Sequence, residues 1–481
     1  MRTLIKNGTI ASASDTFQGD LLIEGEKITL VGTGLEKLVG NVDRTIDATG
    51  KYVLPGGIDP HTHMDMPFGG TTSADDFESG TRGAAFGGTT CIVDFAIQPQ
   101  GGSLKQGMED WHQKAEGKAC ADYAFHMIMR DVNKSSLAEM DQLVKHEGIT
   151  SFKLFTAYPG VFYVDDASIF RAMQKTGENG GLICMHAENG PVIDVLIEQA
   201  LGRGEIAPKY HALTRPARLE GEATHRVIAL AEVAKVPVYI VHLSAKEALQ
   251  QVREARDRGV SAFAETCSQY LFLSYDNYEE PGFDGAKYVM SPPLREKGNE
   301  LDLWKGLQLD DLALVSTDHC PFCLKEKELG KDNFAKIPNG APGVEMRMSL
   351  LWDGGVRTGK IDVNRFVQIT STAPAKMFGL YPKKGNLAPG ADADVVVFDP
   401  NREMKWSAKS HHSKADYNPY EGRTTKGGPS HVFSRGTLIV EGDQWLGKKG
   451  PASSSNAARG GCDVGFNAIR YRCEPVTVTP R

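Results

Sequence analysis

No stretch of this 481-residue chain approaches the roughly 20 consecutive apolar residues that a membrane-spanning helix needs. The opening Met1–Gly8 turns polar before the apolar core of a secretion signal could form, so a cytoplasmic location is expected. A basic stripe is also missing. The 54 lysines and arginines are spread among 61 acids, giving a formal charge of −7, and nothing tracks a phosphate backbone. Neither nucleic acid nor membrane is therefore an expected partner. The 8 cysteines are scattered through a long chain, which suits reduced thiols better than a disulfide framework. Cys320 and Cys323 form a C-x-x-C, but no second pair at zinc-finger spacing accompanies it, and redox chemistry is set aside. There is no internal repeat of solenoid type.

What is present is a 41% hydrophobic, 24% charged composition typical of a globular protein. The length leaves room for one α/β barrel of about 250 residues and a smaller unit. Short strands joined by turns fill the first fifty or so residues: Leu4–Ala11, Leu21–Glu24, Ile28–Val31, then Tyr52-Val53-Leu54 before Pro55-Gly56-Gly57 breaks the pattern. Strand-like and helix-like segments then alternate. Expected strands are Gly57–His63, Thr89–Ala96, Tyr123–Met129, Thr150–Ala157, Leu182–His186, Val236–His242, Val260–Thr266 and Leu312–Thr317. Amphipathic stretches such as Asp76–Ala85, Asp166–Thr176, Gly221–Ala234 and Ala245–Arg258 lie between them. Eight strands alternating with helices predict a (β/α)₈ barrel. Strand character returns after Leu380, at Asp394–Phe398 and His431–Gly442, so both chain ends are expected to share one small β domain. The expected division is 1–55 and 381–450 for that domain, 56–380 for the barrel, and 451–481 for a tail serving as a flexible arm or an oligomer contact.

The chemistry-bearing residues cluster at strand ends. His61 and His63 stand two apart on the first barrel strand, so their side chains share a face, and two imidazoles at a barrel mouth can chelate a divalent metal. Alone, the pair reads equally as polar strand-end histidines. Lys153 sits inside the apolar run Ser151-Phe152-Lys153-Leu154-Phe155, where a buried ammonium is costly. Either its stem reaches the rim, or the amine is carbamylated by carbon dioxide into an anionic ligand able to bridge two cations. His186 and His242 each end an apolar strand and could be satisfied core histidines or ligands. Asp318, in Ser316-Thr317-Asp318-His319, could be a helix cap or turn residue. Together, four histidines, a lysine and an aspartate at the ends of five strands on one rim point to a metal centre.

The segments H-T-H at 61–63, F-K-L-F-T-A-Y at 152–158, M-H-A-E-N-G at 185–190, V-H-L-S at 241–244 and T-D-H-C-P-F at 317–322 resemble the cyclic amidohydrolases of the amidohydrolase superfamily, in particular the dihydropyrimidinase or D-hydantoinase group. Ser291–Arg295, Ile337–Gly340 and Asp75–Gly80 match as well, and the resemblance runs from about residue 1 to about 450. It implies a distorted (β/α)₈ TIM barrel with a β-sandwich built from both termini, working as a homotetramer. It also implies two divalent metals, zinc above all, with manganese or cobalt able to substitute. His61, His63 and Asp318 would bind one metal and His186 and His242 the other, with Lys153 as N6-carboxylysine between them. Tyr158 would hydrogen-bond the substrate carbonyl, Ser291 and Asn339 would hold the ring's amide edge, and Phe68, Phe155 and Phe162 would receive the ring substituent. Pro159-Gly160 departs from the Lys-Asn common in that group, so the substituent preference transfers least well.

The reaction so implied is hydrolysis of dihydropyrimidines and 5-substituted hydantoins to N-carbamoyl amino acids. A hydroxide held by the two metals would attack, with Asp318 as general base and then general acid. Dihydroorotase and allantoinase are the near alternatives. The Met64-Asp65-Met66-Pro67 segment lacks the arginine that dihydroorotases use to grip a carboxylate, and Asp65 would repel one. A noncatalytic scaffold relative is the alternative from another class, and it would be expected to have lost ligands that this chain retains.

Overall fold

In the computed structural model, residues 1–450 and 452–454 are described. The tail expected over 451–481 therefore lies outside the described residues, apart from 452–454.

The expected barrel strands form in the expected order. They are β1 (Gly57–Thr62), β2 (Thr89–Ile97), β3 (Asp122–Ile128), β4 (Ser151–Phe155), β5 (Leu182–His186), β6 (Val238–Ile240), β7 (Ala262–Cys267) and β8 (Leu314–Ser316). Each pairs in parallel with the next to give one eight-stranded sheet. Every residue of β1 to β5 is buried, as it must be when helices cover one face and barrel side chains the other. The hoop closes just beyond the strands: His63 N–H donates to His319 O at 2.8 Å, and His319 N–H to His61 O at 3.3 Å.

Helices Phe77–Phe86, Leu104–Ala115, Lys134–Gln142 and Asp166–Asn179 start where Asp76, Ser103, Asn133 and Asp165 accept from first-turn N–H groups. The helix expected from Gly221 begins a turn earlier, at Ala217, because Pro216 can precede a helix at no hydrogen-bond cost. Two expected strands end sooner than their apolar runs. Val236–His242 contracts to Val238–Ile240 and Leu312–Thr317 to Leu314–Ser316. The backbone turns left-handed just beyond, at His242 (φ 39°) and Asp318 (φ 51°).

The two chain ends share one nine-stranded sheet, joined where Val395–Phe398 runs antiparallel to Tyr52–Pro55. Side chains alternate along this junction. Val53, Val395, Val397 and Phe433 build the sheet's own core, while Leu54, Val396, Phe398 and Val432 pack into the barrel's. The smaller unit is thereby seated on the barrel, against helices that include Phe77–Phe86 and Arg347–Leu351. No helix is long and apolar enough to cross a membrane, among the described residues.

Candidate metal centre and substrate pocket

The C-terminal ends of the strands bring all six expected donors together. His61 Nε2 and His63 Nε2 lie 3.2 and 3.1 Å from the same Asp318 Oδ1. Lys153 Nζ is 2.9 Å from His61 Nε2. His186 Nδ1 and His242 Nε2 approach to 2.9 Å, and the His242 ring stands 5.2 Å from that of His61. Two of the donors, His242 and Asp318, together with Tyr158 (φ 59°), adopt left-handed backbone that side chains other than glycine reach only at a cost of roughly 1–3 kcal/mol each. The fold spends stability to aim these residues inward.

The outward faces of these side chains fit metal ligation. His61 Nδ1 is bonded to the buried Glu265 carboxylate and His186 Nε2 to Glu188 at 2.8 Å, leaving the other ring nitrogen of each for the common space. Glu265 is fixed in turn by the Tyr239 hydroxyl at 2.9 Å and the His242 N–H at 3.1 Å. Burial pushes His61 and His242 well below the ordinary imidazole range, so both are neutral and able to donate a lone pair. Burial also lifts Glu265 to about 8, a cost that a cation beside His61 would relieve. His63 Nδ1 and His242 Nδ1 are buried without a hydrogen-bond partner among the described residues. Lys153, 2% exposed, has no carboxylate within 4.0 Å among those residues; its Nζ lies 4.2 Å over the Phe95 ring. This convergence of imidazoles and a carboxylate has the donor set of a divalent-metal site.

A cavity opens beside them, lined by Met66, Phe68, Phe155, Tyr158, Phe162, Ser291 and Asn339 as well as by five of the six donors, His61 excepted. Phe155 and Phe162 stack at 5.0 Å, and Phe68 lies parallel to Phe162 at 6.2 Å. Phe68 is brought there by a two-residue hairpin in which Gly69 (φ 62°) and Gly70 (φ 82°) take the positive φ values such a turn demands. Opposite the aromatic wall, Asn339 Nδ2 donates to the Tyr158 hydroxyl at 3.2 Å and to Ser291 Oγ at 3.1 Å. Burial raises the Tyr158 phenol to about 12, so at neutral pH it is a proton donor. Eleven of the twelve expected site residues thus line one cavity, and the twelfth, His61, touches it through Lys153 and Asp318. Asp65 does not: Met66 and Phe68 line the cavity, while the Asp65 carbonyl is held by Lys114 at 2.6 Å. Neither Asp65 nor any arginine is among the residues lining the cavity.

Several supporting residues carry no role in the sequence reading. Glu265 and Glu188 orient the His61 and His186 rings. Asp59 takes the Thr317 hydroxyl at 2.6 Å and Asp94 takes the Thr62 hydroxyl and Met64 N–H at 2.8 Å, fixing the turns that carry Asp318 and His63. His319 is pinned by Asp75 at 3.1 Å. A charge inside an apolar strand was the available signal for Glu265, Asp59 and Asp94, the same signal that singles out Lys153.

A sequence model of the amidohydrolase family matches residues 52–439. The chain belongs to the amidohydrolase family. This amidohydrolase is 57% identical over 452 residues to a D-hydantoinase of Streptomyces coelicolor, covering 93% of this chain and 96% of that protein. A D-hydantoinase of Geobacillus stearothermophilus is 51% identical, with 94% and 95% covered. Among solved structures, the dihydropyrimidinase from Brevibacillus agri superposes on the amidohydrolase with a TM-score of 0.93 at 49% identity, covering 96% of this chain and 100% of that one.

Proposed function

We propose that this amidohydrolase opens the cyclic amide of 5-substituted hydantoins and dihydropyrimidines, giving N-carbamoyl amino acids, with preference for the D-enantiomer. The observation that carries the reading is the convergence of His61, His63 and Asp318 within 3.2 Å beside a cavity walled by Phe155 and Phe162. The names of the relatives at 57% and 51% identity support the substrate class and the enantiomer.

Two divalent cations, taken to be zinc, would be held by His61, His63 and Asp318 and by His186 and His242, with Lys153 between, and would supply an acidified water and a Lewis acid for the carbonyl. Lys153 has no carboxylate within 4.0 Å among the described residues and burial disfavours its ammonium, so its deprotonated form would add carbon dioxide, releasing a proton and leaving a carbamate anion where the imidazoles converge. Asp318 accepts the proton of the attacking water and returns it to the leaving ring nitrogen. Tyr158, protonated and aimed by its left-handed backbone, donates a hydrogen bond to the oxygen as negative charge develops there. Backbone groups of Ser291 and Asn339 hold the ring's amide edge, and the phenylalanine wall takes a neutral substituent. A dihydroorotate carboxylate would find no arginine in the lining. The resemblance further implies a cytoplasmic homotetramer, which sedimentation of the purified protein tests.

The test is turnover of dihydrouracil, D- and L-phenylhydantoin, allantoin and dihydroorotate by zinc-loaded protein, with metal content measured in parallel. Dihydrouracil and D-phenylhydantoin should be the substrates, at two metals per subunit. Faster turnover of dihydroorotate or allantoin would sink the substrate assignment; less than one metal without turnover would favour a scaffold.

A further inference from the structure

Lys327 is wholly buried at the end of the short helix Leu324–Lys327, yet no carboxylate pairs with it among the described residues. An ammonium has three N–H donors, and here all three go to main-chain carbonyls: Val289 O at 3.0 Å, Pro338 O at 3.1 Å and Gly340 O at 2.8 Å. Those acceptors are not scattered. Val289 lies two residues before Ser291, and Pro338 and Gly340 flank Asn339. Gly340 N–H also donates to Val289 O at 2.9 Å, so the two segments share one hydrogen-bonded junction with Lys327 at its centre.

We propose that Lys327 is a positioning residue for substrate: its ammonium clamps the 289–291 and 338–340 segments so that their backbone presents a preformed edge to the ring amide. The proposal rests on the reading that Ser291 and Asn339 hold that edge. In a trans peptide the C=O and N–H point in opposite directions. Pinning the Pro338 carbonyl on Lys327 therefore turns the Asn339 N–H the other way, and that N–H donates to no atom among the described residues. The clamp also accounts for a costly feature. Burial drags the Lys327 ammonium down to about 7, and a methionine would fill the same space without that penalty. No hydrocarbon, however, could hold three carbonyls. Two neighbours serve the same loops: His211 Nε2 donates to Met290 O at 2.8 Å, and Gly340 packs so closely on Cys320 that an added Cβ would lie 2.1 Å from its carbonyl oxygen.

Lys327→Met, purified with its metals, tests this. KM should rise about 10-fold for dihydrouracil and for D-phenylhydantoin alike, because the amide edge is common to both, while kcat and the metal content stay close to wild type. Lys327→Gln, which keeps two donors, should fall between. A KM unchanged for both substrates overturns the clamp, as does a loss of kcat and metal with KM intact. If neither variant folds, hydrogen exchange on the wild-type protein decides: the Gly340 amide should exchange slowly without substrate, and rapid exchange across 337–341 overturns the proposal. Absence of turnover by the wild-type protein on either ring would defeat the substrate reading alone, and the exchange measurement would still judge the clamp.

Discussion

Two lysines lie equally buried at opposite ends of the barrel and live in opposite surroundings. Lys384, beneath the N-terminal end, is bonded to Asp122 at 2.7 Å and Asp394 at 2.5 Å, with Asp392 in ionic contact at 3.2 Å. Burial opposes its charge, but those carboxylates outweigh the penalty and hold Lys384 well above the ordinary lysine range. Lys153, at the C-terminal rim, has imidazole and aromatic neighbours instead. There burial wins over the more distant Asp318 and Glu265 and pulls the ammonium below its usual range. The difference teaches that the same residue, equally hidden, has its charge reinforced where the fold supplies countercharge and disfavoured where the fold withholds it. Asp122 begins a barrel strand and Asp392 and Asp394 lead into the terminal sheet, so the first lysine joins two units of structure.

The comparison can be broken by experiment. Lys153→Ala should abolish turnover and release both metals, with partial rescue by added short-chain carboxylic acids; undiminished activity would remove the carbamate from the mechanism. Lys384→Met should cost roughly 3–5 kcal/mol, because it strands buried carboxylates, while kcat of the folded fraction is unchanged. Because the folded-state pKa of Lys384 is raised, its contribution is complete below the free lysine value of 10.5 and fades as pH climbs through the raised one. Urea titrations of wild type and variant should therefore converge at high pH, and parallel curves would contradict that reinforcement. Tyr158→Phe should lower kcat by about 10²-fold with metal content intact. The smallest effect is expected from Phe162→Ala, which should narrow the preference for phenylhydantoin over dihydrouracil by about 10-fold, leaving dihydrouracil turnover near wild type.

The same pair of lysines marks what the chain's sequence discloses. Lys153 stood out because it interrupts an apolar run that ends with an aromatic; local pattern was enough. Lys384, in Pro382-Lys383-Lys384-Gly385, reads as an ordinary exposed loop lysine, since its three acidic partners lie elsewhere in the sequence. Lys327 is hidden likewise among Lys325, Glu326 and Glu328. The strands were legible because barrel strands are apolar throughout, and Leu182–His186 was delimited to the residue. Strand ends at His242 and Asp318 were not, since a left-handed turn imposed by tertiary contacts leaves no mark on residue order. The candidate donors stood out because each ends or interrupts an apolar strand, whereas Glu188 and Glu265, which meet His186 and His61, act through contacts that only the folded chain assembles.

The barrel's last seam runs through His319, between the residues that carry His61 and His63 and the one that carries Asp318. Its two backbone hydrogen bonds are reinforced from within, where Asp59 accepts from Thr317 and buried Arg347 donates to Ile58 O and Val315 O across the same junction. Any ion gripping both flanks would add a further clasp across a circle that the chain already closes by itself.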